Sequence, residues 1–560
     1  MTQEEIKTTD IWELYQKGQN FMSKIYTNTD MNFRMYNGDQ WAGLKIKGVE
    51  KIQHNFIKKI VKHKVGTITA NLFAVNYSPE NIETNEFMEI AQKTCDLLNK
   101  KASKVWDKDF MDKKIKKVCR KSAINGESIV YVDYDESNNI PINEIISKND
   151  IIFGDENEEE IQLQPWIIIR QRKTISELQT LARSYGVKEE DVLNIRGDSD
   201  LGSASGESAK NEIEDKCWLL TKLYRENGTV HFSQATKYCD LKNDIDTGLT
   251  LYQVAHYNWE DVEGSARGIG EVEQLIPNQL ETNKTAMRRA LTIKNIAYPQ
   301  KVVNIDLINN PDAINRVGST IKFKNVGNVR ASDVFMNASA GTISPDSEKF
   351  QNELINLSTE INNAGDAVTG NINPESASGR AILAVQNAQN QPLNDQLIGL
   401  KSFIEDLARI WFEMWRVYAK DGLLIEDEQT DDITGQKTTN QVLVPQYILE
   451  ALRTSVKVDI TPKGAFDKYA QELSLENMFT TGKITFEEYV EALDTDSVMP
   501  KQKLEIILKK RAEKEKQINE YELQAAQLKN QAQKEISYAQ DIENISNAGN
   551  EMINQATASM

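Results

Sequence analysis

Cysteine, histidine and proline are scarce in these 560 residues, at four, four and twelve, and each scarcity removes a class of protein. Cys95, Cys119, Cys217 and Cys239 are far apart and form no CxxC pair. A disulfide framework is thereby excluded, and the four read as reduced, buried thiols. The histidines are too scattered for a metal site. No apolar run approaches the roughly 18 residues that cross a bilayer; the longest, such as Trp166-Ile-Ile-Ile, are strand-length. The start, Met-Thr-Gln-Glu-Glu-Ile-Lys, is polar and acidic, unlike a secretory signal. A nucleotide cradle is missing too. Gly482-Lys483 is followed by Ile484, and Glu273 stands where a dinucleotide loop after Gly268 and Gly270 needs its third glycine. Those glycines then allow a turn and a close helix start. There is no nucleophile elbow, no H-E-x-x-H and no zinc-ligand pair. Asp459 and Asp467 lack the partners that two-metal nuclease chemistry needs. No enzyme, no cofactor and no metal site is expected.

What is present is a soluble globular composition, 39% hydrophobic and 27% charged. The chain is too long for one ordinary core, so several subdomains are expected. Net charge is −18. Tight phosphate binding normally comes with a basic surface, because neutralised phosphates release counterions. An acidic chain that meets DNA is suited to weak, sliding contact; equally, it suits a protein that never meets nucleic acid.

Along the chain, Ile11 to Tyr26 is amphipathic and Asn37-Gly38 marks a turn. Ile52 to Leu72 reads as a helix with Ile57, Ile60, Val61, Val65, Ile68 and Leu72 inward and its lysines mostly outward. Glu86 to Ser122 is a second helical block carrying Lys113, Lys114, Lys116, Lys117, Arg120 and Lys121. That cluster would either meet phosphate or form a solvated face balanced by neighbouring acids. After Asn125-Gly126 the period falls to two: Ser128 to Tyr134, Ile151 to Phe153 and Trp166 to Arg172 are strands. The acidic run Asp155 to Glu160 lacks calcium-loop spacing and reads as a solvated connection rather than a cation site. Thr174 to Tyr185 is a helix opened by a capping box, and Arg196 to Glu212 is a flexible insertion. Strands resume at Trp218–Tyr224, Val230–Ser233 and Leu249–Tyr257.

From Gly264 to Gly422 the order is helix, small β-rich module, helix, loop, long helix. Val272, Ile276, Leu280, Met287 and Leu291 make one stripe; Phe350, Leu354, Leu357, Ile361 and Ala364 make another. Two helices bracketing a small module are antiparallel legs. Residues 379–420 form a long helix that should kink near Pro392, with its aromatics at 403–418 packed in the core. Val442–Val444 and Val456–Ile460 would rejoin the body's sheet. Helices follow at 466–493 and 500–510, then a Gln-, Lys- and Glu-rich helix at 511–548. In it Ile518, Tyr521, Ala525, Leu528, Ala532, Ala539 and Ile542 recur near a heptad, either as one stave of a many-helix barrel or as a loose tail. The fold class is α+β and helix-rich.

Arg267-Gly-Ile-Gly-Glu-Val-Glu, Leu275-Ile-Pro-Asn-Gln, Ser378-Gly-Arg-Ala-Ile and Tyr36-Asn-Gly-Asp-Gln-Trp together resemble the portal proteins of tailed bacteriophages. The resemblance spans roughly residues 30–510. It implies a structural, non-enzymatic subunit of a homo-oligomeric ring, a dodecamer or close to it, at one capsid vertex of the virion, assembled in the host cytoplasm. Such a head-tail connector is the channel for double-stranded DNA packaging and viral genome ejection. It would dock the terminase large subunit, and later head-completion, adaptor and tail proteins, with the major capsid protein and a scaffolding protein as further partners and no membrane. The implied division is a wing at 1–264, stem helix 1 at 265–297, a clip at 298–346 and stem helix 2 at 347–368. A tunnel loop follows at 369–378, then a long kinked helix and wing return at 379–465, a crown at 466–510, and a C-terminal helix at 511–560. The tunnel loop would turn Thr369, Gly370, Asn371, Asn373 and Ser376 to the DNA. If the stem's cationic face looks inward, Lys284, Arg288 and Lys294 would touch phosphates without reading bases; if outward, they are ordinary salt-bridge residues. The clip would meet its partners through Asn309, Asp312, Arg316, Lys324 and Arg330. The alternative is a non-portal oligomeric scaffold or adaptor with a coiled-coil tail.

Overall fold

The computed structural model describes residues 9–42, 50–80, 85–197, 215–298, 301–316, 318–324, 327, 330–337, 345–361, 391–430, 437–462, 475–493 and 501–558. It is 56% helical with several small sheets, an α+β, helix-rich architecture. The chain divides into two units, Met1–Thr461 and Pro462–Met560.

The first unit opens with α1 (Asp10–Phe21), α2 (Ser23–Asn37) and α3 (Phe56–Ile68). Gly38, at φ +96°, ends α2 in a left-handed conformation that costs glycine little. The inward residues of α3 are as expected, with Ile57, Ile60 and Val61 fully buried. The helix stops at Ile68, however, and Leu72 lies 40% exposed in strand β1 (Asn71–Pro79). β-Branched and aromatic residues alternating at Phe73, Val75 and Tyr77 explain the switch: all three are buried. The expected second block is two helices, α4 (Asn85–Lys108) and α5 (Met111–Asn125), broken at Phe110 with φ +52°.

Next come β2 (Glu127–Asp135), β3 (Ile140–Ile146), β4 (Ile151–Phe153) and β5 (Trp166–Thr174). Helix α6 (Ile175–Ser184) begins with the expected reciprocal box between Thr174 and Glu177, and a single turn, α7 (Glu189–Val192), follows. Residues 198–214, most of the expected insertion, lie outside the described residues. β6 (Lys216–Glu226), β7 (Thr229–Ala235), β8 (Asp240–Asp246) and β9 (Val254–Asn258) complete two sheets, ordered β3-β2-β9 and β4-β5-β6-β7-β8. β8 escapes the sequence pattern because it is a polar edge strand; only its Leu241 is buried. At 249–257 only the last residues form strand.

The legs are α8 (Glu271–Ala297) and α10 (Pro345–Ile361), with β10 (Lys301–Val303), the turn α9 (Ala331–Val334) and β11 (Phe335–Asn337) between them. Residues 362–390 lie outside the described residues, including the first part of the expected long helix. A 3-10 turn, Gln391–Leu393, stands at Pro392 and leads into α11 (Asn394–Tyr418). Its Phe403, Trp411, Met414 and Trp415 are at most 1% exposed and centre the main core, as expected of that aromatic run.

The returning strands depart from expectation. β12 (Leu423–Thr430) and β13 (Lys437–Val444) form a hairpin of their own. After α12 (Gln446–Ala451), β14 (Thr454–Pro462) pairs with β1. Neither joins the larger sheets, because β1, whose apolar spacing mimics a continuation of α3, offers an edge of its own.

In the second unit, α13 (Phe486–Ala492) and the start of α14 (Lys501–Ala558) build a small core from Tyr489, Val490 and Leu493 with Leu504 and Leu508. The expected boundary at 510 does not exist. No proline interrupts 501–558, so the helix continues for 58 residues, about 87 Å. Ile518, Tyr521, Leu528 and Ile542 on it are 56–72% exposed.

Candidate functional site

The glycines that open the hairpin are fixed to the body by close backbone approach. Gly126 closes α5 at φ +99°, and a Cβ there would lie 2.1 Å from the Gly268 carbonyl oxygen. A Cβ on Gly268 would sit 2.6 Å from the Gly126 oxygen, and one on Gly270 would sit 2.7 Å from the Gly126 nitrogen. Only glycine lets these two chain segments cross at this distance. The Lys148 ammonium ties the crossing by donating to the Asn125 carbonyl at 3.0 Å and the Gly268 carbonyl at 3.3 Å.

Beneath it lies a buried ionic cluster. Arg267 Nη1 donates to Glu127 Oε1 at 2.5 Å, its Nε to Glu156 Oε2 at 2.8 Å and its Nη2 to Glu156 Oε1 at 3.0 Å. The guanidinium also stacks 4.2 Å from the Phe153 ring centroid. Burial pushes the Glu127 carboxyl up, but Arg267, Lys148 and His256 outweigh it and hold the group well below the usual carboxylate range. The same carboxylates hold the Arg267 guanidinium above its ordinary value despite burial. The acidic run is therefore more than a solvated connection: Glu156 clamps Arg267, and Glu159 accepts a hydrogen bond from the Gly264 amide.

A polar seam carries α8 past α3. Gln279, Thr282 and Asn283 are fully buried. Gln279 Oε1 accepts from the Phe56 and Ile57 amides at 3.1 and 3.4 Å, satisfying orphan donors at the start of α3. Its Nε2 donates to the His54 carbonyl at 2.7 Å, and Asn283 Nδ2 donates to Gln40 Oε1 at 2.5 Å. Thus Gln40, within Tyr36–Trp41, and Gln279, closing Leu275–Gln279, belong to one hydrogen-bonded network.

Past the body the legs run antiparallel. Asn278 Nδ2 donates to Ser358 Oγ at 3.1 Å, and Arg289 reaches Gln351 at 3.0 Å and Glu348 at 3.3 Å. The seam between them is polar. The apolar stripe leaves the core at Leu291, which is 37% exposed, and on α10 Phe350 and Leu357 are each 46% exposed rather than inward. Gln351 and Ser358 take the inward positions, at 6% and 1%. At the tip, β10 pairs antiparallel with β11, and Ile308 bridges Phe323 around a minimal core of Ile308 and Val334.

The residues singled out from the sequence fall as follows. Thr369, Gly370, Asn371, Asn373 and Ser376 lie outside the described residues. Lys284 and Arg288 are exposed and both reach Glu281, at 3.5 and 3.1 Å, while Lys294 is exposed in the last turn of α8. Asn309, Asp312, Arg316, Lys324 and Arg330 are all exposed on the tip module, where the Asn309 amide donates to Lys322 and the Lys324 amide to Leu307. Among the described residues, the ligand atoms of Glu226, His231 and Asp244 lie within 4.8 Å of one another on the surface. Asp244 already accepts from Tyr224 at 2.6 Å and pairs with His231 at 2.7 Å, so the group is satisfied internally.

Residues 12–218 match the family model for phage P22-like portal proteins. This part of the chain is therefore similar to phage portal proteins. It runs from α1 to the start of β6, so it covers the first part of the body and one of the quoted motifs, Tyr36–Trp41. Arg267–Glu273 and Leu275–Gln279 lie beyond it and are joined to the portal-like region by the Arg267–Glu127 pair and the Gln279–His54 hydrogen bond. A search of curated proteins finds no match. A portal protein is structural rather than enzymatic. Sequence reasoning misses Glu127, Glu156, Gln40 and Asn283. A usable signal exists for one pair: Gln279 and Asn283, four apart among apolar residues of α8, are polar on a face that should be buried.

Proposed function

We propose that the chain is one subunit of a portal ring of about twelve copies. The observation that carries this is the inverted hairpin. Legs joined through a polar seam present Leu291, Ile293, Ile296, Phe350 and Leu357 outward, each at least 37% exposed. Exposed apolar side chains gathered on two packed helices suit a protein interface, and repetition of one heterologous interface around an axis closes a ring. Within that ring α8 and α10 are the stem, the 298–346 module is the clip and 369–378 is the tunnel loop. Residues 1–264 with the returning segment make the wing, 466–510 the crown, and α14 a stave of a barrel. The ring passes double-stranded DNA during packaging and ejection, touching it weakly and without sequence specificity. It docks the terminase large subunit and then head-completion and tail proteins through the clip residues Asn309, Asp312, Arg316, Lys324 and Arg330. The capsid and a scaffolding protein surround it at one vertex. Lys284, Arg288 and Lys294 are the sparse cations of the stem. No helix among the described residues is long and apolar enough to cross a membrane.

A coiled-coil adaptor is the second reading, favoured by the exposed apolar positions of α14. Phe350→Asp with Leu357→Asp separates the two. A portal ring loses its assembled mass, whereas an adaptor held through α14 keeps its oligomeric state and loses it only when 511–558 are removed.

A further inference from the structure

By sequence alone the basic cluster on α5 is either a phosphate-binding face or a solvated face balanced by neighbouring acids. Asp109 balances one member of the cluster, Lys114, and the other neighbouring acids are engaged elsewhere: Asp150 with Arg170 at 2.8 Å and Glu271 with Lys64 at 2.6 Å. Asp112 accepts from Trp106 Nε1 at 2.8 Å. On the neighbouring helices α3 and α5, Lys59, Lys62, Lys113, Lys116, Lys117 and Arg120 are exposed. None has a carboxylate within 4.0 Å among the described residues. Six unpaired cations together are unusual in a chain of net charge −18. Burial, and after it Lys59 of this group and the paired Lys64, lower the pKa of His63.

Between the two helices lies a cavity of about 240 Å³, lined by Tyr36, Val61, Lys62, Gly66, Lys116 and Arg120. Gly66 is exposed in the last turn of α3, still inside the helix, and a Cβ there would meet nothing within 4 Å. Glycine in a helix interior costs about 1 kcal/mol relative to alanine, and no internal packing explains it. Its effect is to leave bare backbone on the cavity wall, as where a ligand approaches closely.

We infer that the α3–α5 face binds the phosphodiester backbone of double-stranded DNA, at a site separate from the stem and tunnel loop. From Lys113 to Arg120 the helix rises about 10.5 Å, the axial length of about three successive phosphates on one strand. A row of point charges with no base-reading side chains meets the backbone without sequence preference. The choice of DNA rests on the portal function proposed above; the anion site itself does not.

The test is the salt dependence of duplex binding, by fluorescence anisotropy on the full chain in its native assembly. Lys116→Gln, Lys117→Gln and Arg120→Gln are combined; all are exposed and glutamine keeps helix propensity. Circular dichroism and assembled mass should be unchanged. The slope of log K against log salt is expected to fall in magnitude by about 2.7, at about 0.9 for each phosphate no longer neutralised. A second variant combines Lys284→Gln, Arg288→Gln and Lys294→Gln, so that any stem contribution is read separately. An unchanged slope in the first variant overturns the inference. So does displacement of the duplex by millimolar inorganic phosphate at fixed ionic strength, which would mean a pocket for a free anion. Equal binding of polyglutamate, abolished in the same variant, would overturn it too and assign the face to an acidic protein.

Discussion

Replacing Arg267 by methionine tests how the hairpin is held to the body. The change keeps an unbranched apolar stem and removes the charge from a side chain only 7% exposed. It deletes the bonds to Glu127 at 2.5 Å, to Glu156 at 2.8 and 3.0 Å and to the Ile151 carbonyl at 3.2 Å. Glu127, with its side chain wholly buried, is left facing only Lys148 and His256. Breaking one side of a buried pair costs about 3–5 kcal/mol, a large part of the roughly 5–15 kcal/mol that typically separates folded from unfolded. Urea unfolding followed by tryptophan fluorescence should show the midpoint fall. Glu127→Gln alone should also destabilise, and the double variant should be less damaged than the two single effects added, because the neutral pair no longer strands a charge. The pH dependence supplies a second, independent sign. In the wild type the folded pKa of Glu127 lies below its unfolded value of about 4.3. Its contribution is therefore complete above that pH and is lost as pH falls below it. In Arg267→Met the burial that raises this pKa is no longer outweighed by the guanidinium, so this acid-linked loss should flatten or reverse. A midpoint within about 0.5 kcal/mol of wild type, or an unchanged acid slope, would refute the role given to this cluster.

Gly268→Ala should destabilise through overlap with the Gly126 carbonyl and the Asn258 side chain, by about 1–3 kcal/mol; Gly186→Ala, strained by its φ of +78° but with open space around its Cβ, should cost less, and thermal melts of both rank them. Gln279→Ala leaves the Ile57 amide without its partner and takes one of two partners from the Phe56 amide and the His54 carbonyl, which also bond each other at 2.9 Å. About 1–3 kcal/mol should be lost, with faster amide exchange at the start of α3. Burial pushes the Cys95 and Cys119 thiols up to about 12 and Cys239 up to about 11. All four thiols are buried, so the native protein should resist a thiolate-specific reagent at about pH 8 and react at all four once unfolded.

The fold is most legible where period and side-chain type agree. The β-branched run in Trp166–Thr174, the box at Thr174 and the aromatic run of α11 can be read from sequence because local preference and burial point the same way. The apolar stripes on the legs are legible as stripes but not in direction: periodicity cannot tell that Gln351 and Ser358 form the inner seam while Phe350 and Leu357 face out. β1 is hidden because Leu72 continues the helical spacing of α3 for one more turn before the strand period begins. β8 is too polar to read as a strand at all. The Arg267 cluster and the Gln40–Asn283–Gln279 network join residues more than a hundred positions apart. Such pairings depend on tertiary placement, and spacing within one segment carries no trace of them.

The most direct test of the central claim is the solution mass of the purified full chain, with negative-stain images of the same sample. About twelve copies of a 63.6 kDa chain make a particle near 760 kDa, seen end-on as a closed ring with a central hole. A monodisperse monomer or dimer of that chain, without rings at any concentration tried, would contradict the portal account.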